Sequence, residues 1–274
     1  MAPLLVTATA SLAAAGVPSP RVDAELLAAY VLRIGRGRLA LVDGIRHSEA
    51  RRFTELVAQR ARRIPLQHLI GTTAFRHLEL AVGEGVFVPR PETELLAGWG
   101  IAHTPPGSTV VDLGSGSGAI ALAVADEAAP GRVIAVERSP AALTWLRRNT
   151  AGTAVEVVEG DITDPTLLTD LRGTVAVVLC NPPYVPDATT VPPEVAEHDP
   201  AEAVFGGPDG LDVIRPVVAL AAVLLKPGGV VGIEHDDGHA AAVPDLLRAD
   251  SRFTDVVAHR DLSGRARYAT GRRV

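Results

Sequence analysis

The sequence predicts an α/β protein, with a small N-terminal helical bundle followed by a parallel sheet covered by helices on both faces. Three observations carry this. Apolar residues recur at three-and-four spacing through residues 1–64, short β-branched runs alternate with helical segments from residue 107 onward, and a glycine-rich turn follows directly on the first of those runs.

Composition bounds the answer. A chain of 274 residues can form one large domain with a smaller companion, and 47% hydrophobic against 21% charged residues is a globular balance. The run "VVALAAVLL" (217–225) is far too short for the roughly 20 residues a membrane helix needs. The alanine-rich start lacks the charged n-region of a signal peptide, because its first basic residue is Arg21. Cys180 is the sole cysteine, which excludes an internal disulfide and a cysteine-based zinc site and fits a reducing cytoplasm. A net charge of −6 argues against a chain whose main task is gripping nucleic acid. Lys226 is the single lysine, and we read the arginine excess as genome composition.

The elements follow in order. "PLLVTATASLAAAG" (3–16) and "RVDAELLAAYVLRIG" (21–35) are amphipathic helices, each ended by a glycine, and "SEARRFTELVAQRARRI" (48–64) opens with Ser48 in an N-cap position. They make the bundle, 1–64, with a basic face on the third helix. Residues 65–94 alternate apolar and polar side chains around Gly83 to Gly85, a hairpin-like linker. The third segment, 95–274, places strands at "TVVDL", "RVIAVE", "AVEVVE", "VAVVLC" and "GVVGIE", with helices such as "AIALAVADEAA" and "PAALTWLRRNT" between them. "RFTDVVAH" and "RARYATGR" read as a closing antiparallel pair. Ligands of such sheets bind beyond the carboxyl ends of the strands.

Gly114, Ser115, Gly116, Ser117 and Gly118 stand at such an end, in "VVDLGSGSGAIAL", where glycines permit a tight turn and close approach of a ligand. Glu137 ends the next strand and is placed to accept from both hydroxyls of a ribose. The pair points to a nucleoside ligand, either NAD or S-adenosylmethionine. The spacing G-x-G-x-G departs from the G-x-G-x-x-G that seats a pyrophosphate. Asp161, after the third strand, is either an acceptor for an adenine amino group or a helix N-cap for "DPTLLTDL".

Asn181-Pro182-Pro183-Tyr184 follows the fourth strand, which the prolines must stop. The frozen turn directs the Asn181 side chain and the Pro182 carbonyl into the pocket as two acceptors, matched to the two donors of a planar NH2 group. Tyr184 supplies an aromatic wall.

This motif resembles the signature of methyltransferases that act on adenine N6 or glutamine N5. Nearly the whole chain resembles one branch, the release factor glutamine methyltransferases or HemK family, through "PLQHLIG" (65–71), "FVPRPETE" (87–94), "DLGSGSGAIAL", the Asn181 motif, "GGPDGLDVIR" (206–215), "LKPGG" and "EH" (234–235). The resemblance implies a Rossmann-like seven-stranded sheet and S-adenosylmethionine as cofactor, with S-adenosylhomocysteine as product. It implies as substrate the glutamine of the Gly-Gly-Gln tip of class 1 peptide chain release factors. The N-terminal bundle would help hold the factor, with no nucleic acid and no membrane required.

Carried over by position, Gly114 to Gly118 cradle the methionine part of the cofactor, Glu137 its ribose, and Asp161 with Ile162 its adenine. Asn181, Pro182 and Tyr184 are the catalytic residues. With Pro183 they bind the glutamine amide, and Asn181 also faces the cofactor. Arg90 is expected either to pair with the methionine carboxylate or to form a salt bridge to Glu92 or Glu94. His68 stands where the family has tyrosine, Ile162 where an aromatic often stacks, and "EHDPAEAVFGG" replaces the usual Glu-Pro form. Asp236 and Asp237 are contiguous loop residues, so no metal is expected. The rivals are a glutamine methyltransferase acting on a ribosomal protein and an adenine N6 methyltransferase acting on DNA or RNA.

Overall fold

The computed structural model describes all 274 residues, and their packing divides the chain into two compact units. One contains Met1–Thr72 and Pro192–His198, the other Thr73–Val191 and Asp199–Val274.

The first unit holds α1 (Ala2–Ala14), α2 (Pro20–Leu32), α3 (His47–Ala61) and the short α4 (Leu66–Ile70). Leu12, Leu27, Phe53 and Leu56 are buried at its centre. Two boundaries differ from expectation. The N-cap of α3 is Arg46, whose backbone N–H donates to Glu49 Oε2 at 2.9 Å, so Ser48 lies inside the first turn. Helix α2 ends on Arg33 in the left-handed conformation, φ 54°, before Gly35 is reached. The basic face of α3 is also partly internal. Arg60 is buried, donating to Asp23 Oδ2 at 2.7 Å and to Glu194 Oε1 at 3.0 Å, and Arg63 pairs with the same Glu194 carboxylate. Charges brought by distant segments turn what reads as a solvated stripe into a buried ion cluster.

The second unit begins with a hairpin, β1 (Thr72–Phe75) and β2 (Leu78–Ala81). Its reversal falls at Arg76 and His77, not at Gly83 to Gly85. Arg76 is held at φ 52° because its N–H donates to Glu94 Oε1 at 3.0 Å while its guanidinium grips Glu127 at 2.5 and 2.6 Å. There follow α5 (Thr93–Ala102), β3 (Thr109–Leu113), α6 (Ala119–Glu127), β4 (Arg132–Glu137), α7 (Pro140–Thr150), β5 (Val155–Glu159) and β6 (Val175–Cys180). After α8 (Pro193–His198), which belongs to the first unit, the second continues with α9 (Ala201–Val204), α10 (Ile214–Leu224), β7 (Leu225–Glu234), α11 (Ala242–Ala249), β8 (Phe253–Arg260) and β9 (Ala266–Arg273). Of the helix that one of the two readings of Asp161 placed over "DPTLLTDL", only a single 3-10 turn, Thr169–Leu171, forms; before it, Asp161 and Asp164 accept from the amides of Thr163 and Thr166 in successive turns.

The seven main strands run in the order β5-β4-β3-β6-β7-β9-β8, all parallel except β9, which is antiparallel to both its neighbours. This is the seven-stranded Rossmann-like sheet the resemblance implies. Alternate residues of each strand bury opposite ways: Val111, Ile134, Val178 and Val231 face a core closed by α10 and α11, while Val110, Val133 and Leu179 face one closed by α5, α6 and α7. The order reverses at β3, so the carboxyl ends of β3, β4 and β6 open on one crevice. No helix is long and apolar enough to cross a membrane.

Candidate active site

The loop between β3 and α6 turns through Gly114, Gly116 and Gly118 at φ 72°, 57° and 88°, values that side-chain-bearing residues adopt only at a cost. A Cβ on Gly116 would meet nothing within 4 Å, so the loop presents bare backbone outward. Its donors are largely engaged within the protein. Gly116 N–H donates to Glu137 Oε2 at 2.8 Å, and at the start of α6 the Ala121 N–H donates to Asp112 Oδ2 at 3.1 Å. Carboxylates of the protein thus engage amides that a pyrophosphate would need at a helix N-terminus, which disfavours a dinucleotide and fits a ligand with no phosphate. Burial pushes the Asp112 carboxyl up to about 7, against the pull of Ser115 and the Ala121 amide. The Ser115 hydroxyl donates to the Asp112 carbonyl, while the buried Ser117 hydroxyl has no hydrogen-bond partner.

Glu137 also accepts from the amides of Arg138 and Ser139, both at 2.8 Å. Three backbone donors fix its carboxylate at the end of β4, and a carboxylate has room for about four hydrogen bonds. Asp161 accepts from Thr163 N and Oγ1 through one oxygen and from Arg138 at 3.2 Å through the other. Ile162 lies close enough to Gly114 that a Cβ there would be 3.5 Å from its Cδ1, giving the glycine turn an apolar neighbour.

The Asn181 motif leaves β6 at the same edge. Asn181 Nδ2 donates to Thr93 Oγ1 at 3.1 Å, Pro182 is buried, and the Tyr184 hydroxyl donates to Glu234 Oε1 at 3.2 Å. Glu234 ends β7 and is 1% exposed; burial raises its carboxyl to about 7, opposed by Thr93, Tyr184 and Arg267. Burial, followed by the Glu234 charge, drives the Tyr184 phenol well above its ordinary range. Beyond the motif, Val185 pairs with Val204 and Gly206, and a Cβ on Gly206 would lie 2.6 Å from the Pro183 carbonyl. That contact explains the glycine at this point of "GGPDGLDVIR". Cys180, fully buried with its thiol raised by burial, offers no nucleophile.

Three polar residues of "PRPETE" reach different parts of the chain. Arg90 pairs with Asp199 at 2.6 Å and lies over the Phe87 ring at 4.7 Å, so its ionic partner is neither Glu92 nor Glu94. Thr93 meets Asn181, and Glu94 holds the hairpin turn. Helix α5 brings Thr93 there because two glycines let it lie close on the sheet. A Cβ on Gly100 would be 2.4 Å from Leu179 of β6, and one on Gly232 of β7 would be 2.7 Å from Leu96. Thr93, Glu234 and Arg267 were not singled out from sequence as site residues, although "PRPETE" and "EH" were both noted. No group of three His, Cys, Asp or Glu side chains is placed to hold a metal ion.

Comparison with known proteins gives this geometry a context. Residues 3–71 match the family described as PrmC N-terminal domain, and residues 93–198 match the methyltransferase small domain. A release factor glutamine methyltransferase of Mycolicibacterium smegmatis is 55% identical over 97% of this chain and 95% of that protein. The Mycobacterium tuberculosis protein of the same description is 48% identical over 97% of this chain and 89% of its own length. A 4-amino-L-phenylalanine/4-methylamino-L-phenylalanine methyltransferase of Streptomyces pristinaespiralis is 38% identical over 93% of this chain and 89% of that protein. Among solved structures, the T. thermophilus 16S rRNA N2 G1207 methyltransferase in complex with AdoMet and guanosine shares the fold. It is 19% identical, covers 74% of this chain and 50% of its own, and gives a TM-score of 0.53.

Proposed function

This chain belongs to the release factor glutamine methyltransferase family, and from that membership we infer that it methylates N5 of the glutamine in the Gly-Gly-Gln tip of class 1 peptide chain release factors, using S-adenosylmethionine. The cofactor supplies a methyl group on a positively charged sulfur, a ready electrophile. What the protein must supply is a usable nucleophile, because the amide nitrogen's lone pair is delocalised into its carbonyl. Asn181 Oδ1 and the Pro182 carbonyl each accept one hydrogen of the glutamine NH2. Held this way, the nitrogen is free to pyramidalise and aim its lone pair, and such positioning is worth many powers of ten in rate. No strong base is needed beforehand, since the proton becomes acidic only once the nitrogen has acquired its methyl. Tyr184, its hydroxyl anchored on Glu234, walls one face of the carboxamide.

The observation that carries this reading is the hydrogen bond from Asn181 Nδ2 to Thr93. It engages the nitrogen end of the side-chain amide and leaves the oxygen end for the substrate. Gly114, Ser115, Gly116, Ser117 and Gly118 hold the methionine part of the cofactor by close backbone approach, Glu137 the ribose, and Asp161 with Ile162 the adenine. The bundle of residues 1–64 takes up the body of the release factor, the 65–94 segment links it to the methyltransferase domain of 95–274, and the reaction proceeds in the cytoplasm without nucleic acid. Arg90, paired with Asp199, positions its loop.

The test is transfer of labelled methyl to purified release factor, with mass spectrometry of the Gly-Gly-Gln peptide. One added methyl on that glutamine is expected. Label on a ribosomal protein alone, on nucleic acid, or on 4-aminophenylalanine with the factor untouched would overturn the substrate assignment.

A further inference from the structure

Resting on that reading, we propose that Thr93 and Glu234 are positioning residues that set the hydrogen-bond direction at Asn181, so that its oxygen and not its nitrogen faces the glutamine carboxamide. An asparagine side chain is nearly symmetric in shape, and a half-turn about its last bond exchanges an acceptor for two donors. Here that exchange is decisive. A flipped Asn181 would set its own N–H groups against those of the substrate.

Something must therefore hold one orientation. Thr93 Oγ1 lies 3.1 Å from Asn181 Nδ2, and Thr93 is 3% exposed, so no solvent competes for its single hydrogen. Glu234 Oε2 is buried without a hydrogen-bond partner, and Thr93 is among the groups that favour its charged form. An ionised Glu234 is acceptor only. It attracts the Thr93 hydrogen, Thr93 is left with lone pairs alone toward Asn181, and only the nitrogen end of the amide satisfies them. The other Glu234 oxygen takes the Tyr184 hydroxyl at 3.2 Å, so one carboxylate orients two residues of the motif.

The state of Glu234 then matters. Facing it are Thr93 from α5, Tyr184 from the loop after β6, Arg267 from β9, and Glu92 just before α5. Arg267 favours the charged form; burial and Glu92 oppose it, which places the carboxyl at about 7. When protonated it is able to donate to Thr93, whose own hydrogen is released toward Asn181 and favours the flipped amide.

The experiment compares wild type, Thr93→Val, Thr93→Ser and Glu234→Gln. Steady-state methylation of release factor is measured at saturating S-adenosylmethionine from about pH 5.5 to about 8.5, which brackets the Glu234 midpoint, with cofactor affinity by calorimetry and folding by circular dichroism. Thr93→Val should lower kcat by about 10²-fold with cofactor Kd unchanged to within about twofold, while Thr93→Ser restores most of the rate. Wild-type kcat should fall as pH drops through about 7, and Glu234→Gln should be slow with that limb gone. Asp112 titrates in the same range but acts on the cofactor loop, so saturating cofactor removes its share. A Thr93→Val kcat within about threefold of wild type, or a pH limb unchanged in Glu234→Gln, overturns the proposal. If wild type leaves the release factor unmethylated, the substrate reading is what fails, and the variants are then read on whichever amide or amine the wild type does methylate.

Discussion

Two buried carboxylates, Asp112 on β3 and Glu234 on β7, underlie the two halves of the site, and they differ in where their partners come from. Each is about 1% exposed and each carboxyl is raised to about 7 by burial. Asp112 is met by Ser115 and by the Ala121 amide, all within one strand-turn-helix. Glu234 is met by Thr93, Tyr184 and Arg267, which lie on α5, in the loop after β6 and on β9. The cofactor half is therefore the more local one, built from β3, β4 and β5 with the turns that follow them, neighbours in both sequence and sheet order. The substrate half exists only when three separate segments dock, so packing defects should reach turnover before they reach cofactor binding.

The widest separation between the halves should come from the matched variants Asn181→Ala and Glu137→Ala. If Asn181 is the proposed acceptor for the substrate amide, Asn181→Ala should drop kcat by roughly 10²- to 10³-fold with cofactor Kd unchanged. Glu137→Ala strips the carboxylate that gathers three backbone amides, and should weaken cofactor binding while kcat at saturation changes far less. Calorimetry and saturation kinetics on both would decide. Equal losses of affinity and turnover in both variants would mean that the halves are not separable.

The same comparison explains what was legible in the sequence. Strands β3, β4 and β6 occupy the stretches "TVVDL", "RVIAVE" and "VAVVLC" because a buried parallel strand needs an unbroken β-branched run, and such a run is visible. The glycine loop and Glu137 were legible for a related reason, since their partners lie close along the chain. Strand β7 reads as starting at Gly229 but begins at Leu225, with "KPGG" absorbed as an irregularity opposite Val175 to Val177. Thr93 to Asn181, Arg90 to Asp199, and Arg60 to Asp23 and Glu194 join residues far apart in sequence. No periodicity encodes them. The resemblance marked "PRPETE" as diagnostic, but only the fold reveals that its arginine, threonine and last glutamate each secure a different element.

Stability against pH sharpens the contrast next. Both carboxyls are raised on folding, from ordinary values of 3.8 and 4.5 to about 7, so between those limits the folded state holds protons that the unfolded chain has lost. By linkage, their contribution to stability is greatest at the acidic side of this window and is lost as pH rises through about 7. Tm should thus decline toward neutrality through both groups, while kcat rises through Glu234, so that one carboxyl acts on the two with opposite signs. Glu234→Gln should flatten part of the Tm slope and Asp112→Asn the other part. A Tm that climbs with pH over this range in the wild type and in neither variant would contradict the assignment.

A smaller effect should follow from Gly232→Ala. The new methyl would lie 2.7 Å from Leu96 and 3.1 Å from Trp99, forcing α5 off the sheet. Overpacking of this kind costs about 1–3 kcal/mol. Because Thr93 begins α5, kcat should fall while cofactor affinity holds, the signature expected of the assembled half. Retained turnover in a destabilised variant would show that Asn181 does not depend on the seating of α5.

The smallest change is expected from Arg138→Ala, in the local half. Arg138 reaches Asp161 at 3.2 Å with both side chains well exposed, and solvent screening leaves such pairs with little net worth, less than about 1 kcal/mol. Asp161 itself is lowered first by the Thr163 amide and hydroxyl, and only later in rank by Arg138. Its geometry should therefore persist without the arginine, held by the turn into Thr163, and its second oxygen gains freedom toward an adenine amino group. Cofactor Kd should move by no more than about threefold and kcat should hold. A loss of cofactor affinity beyond about tenfold would mean that this half also relies on a side chain from outside its own turn, and the division between local and assembled halves would no longer stand.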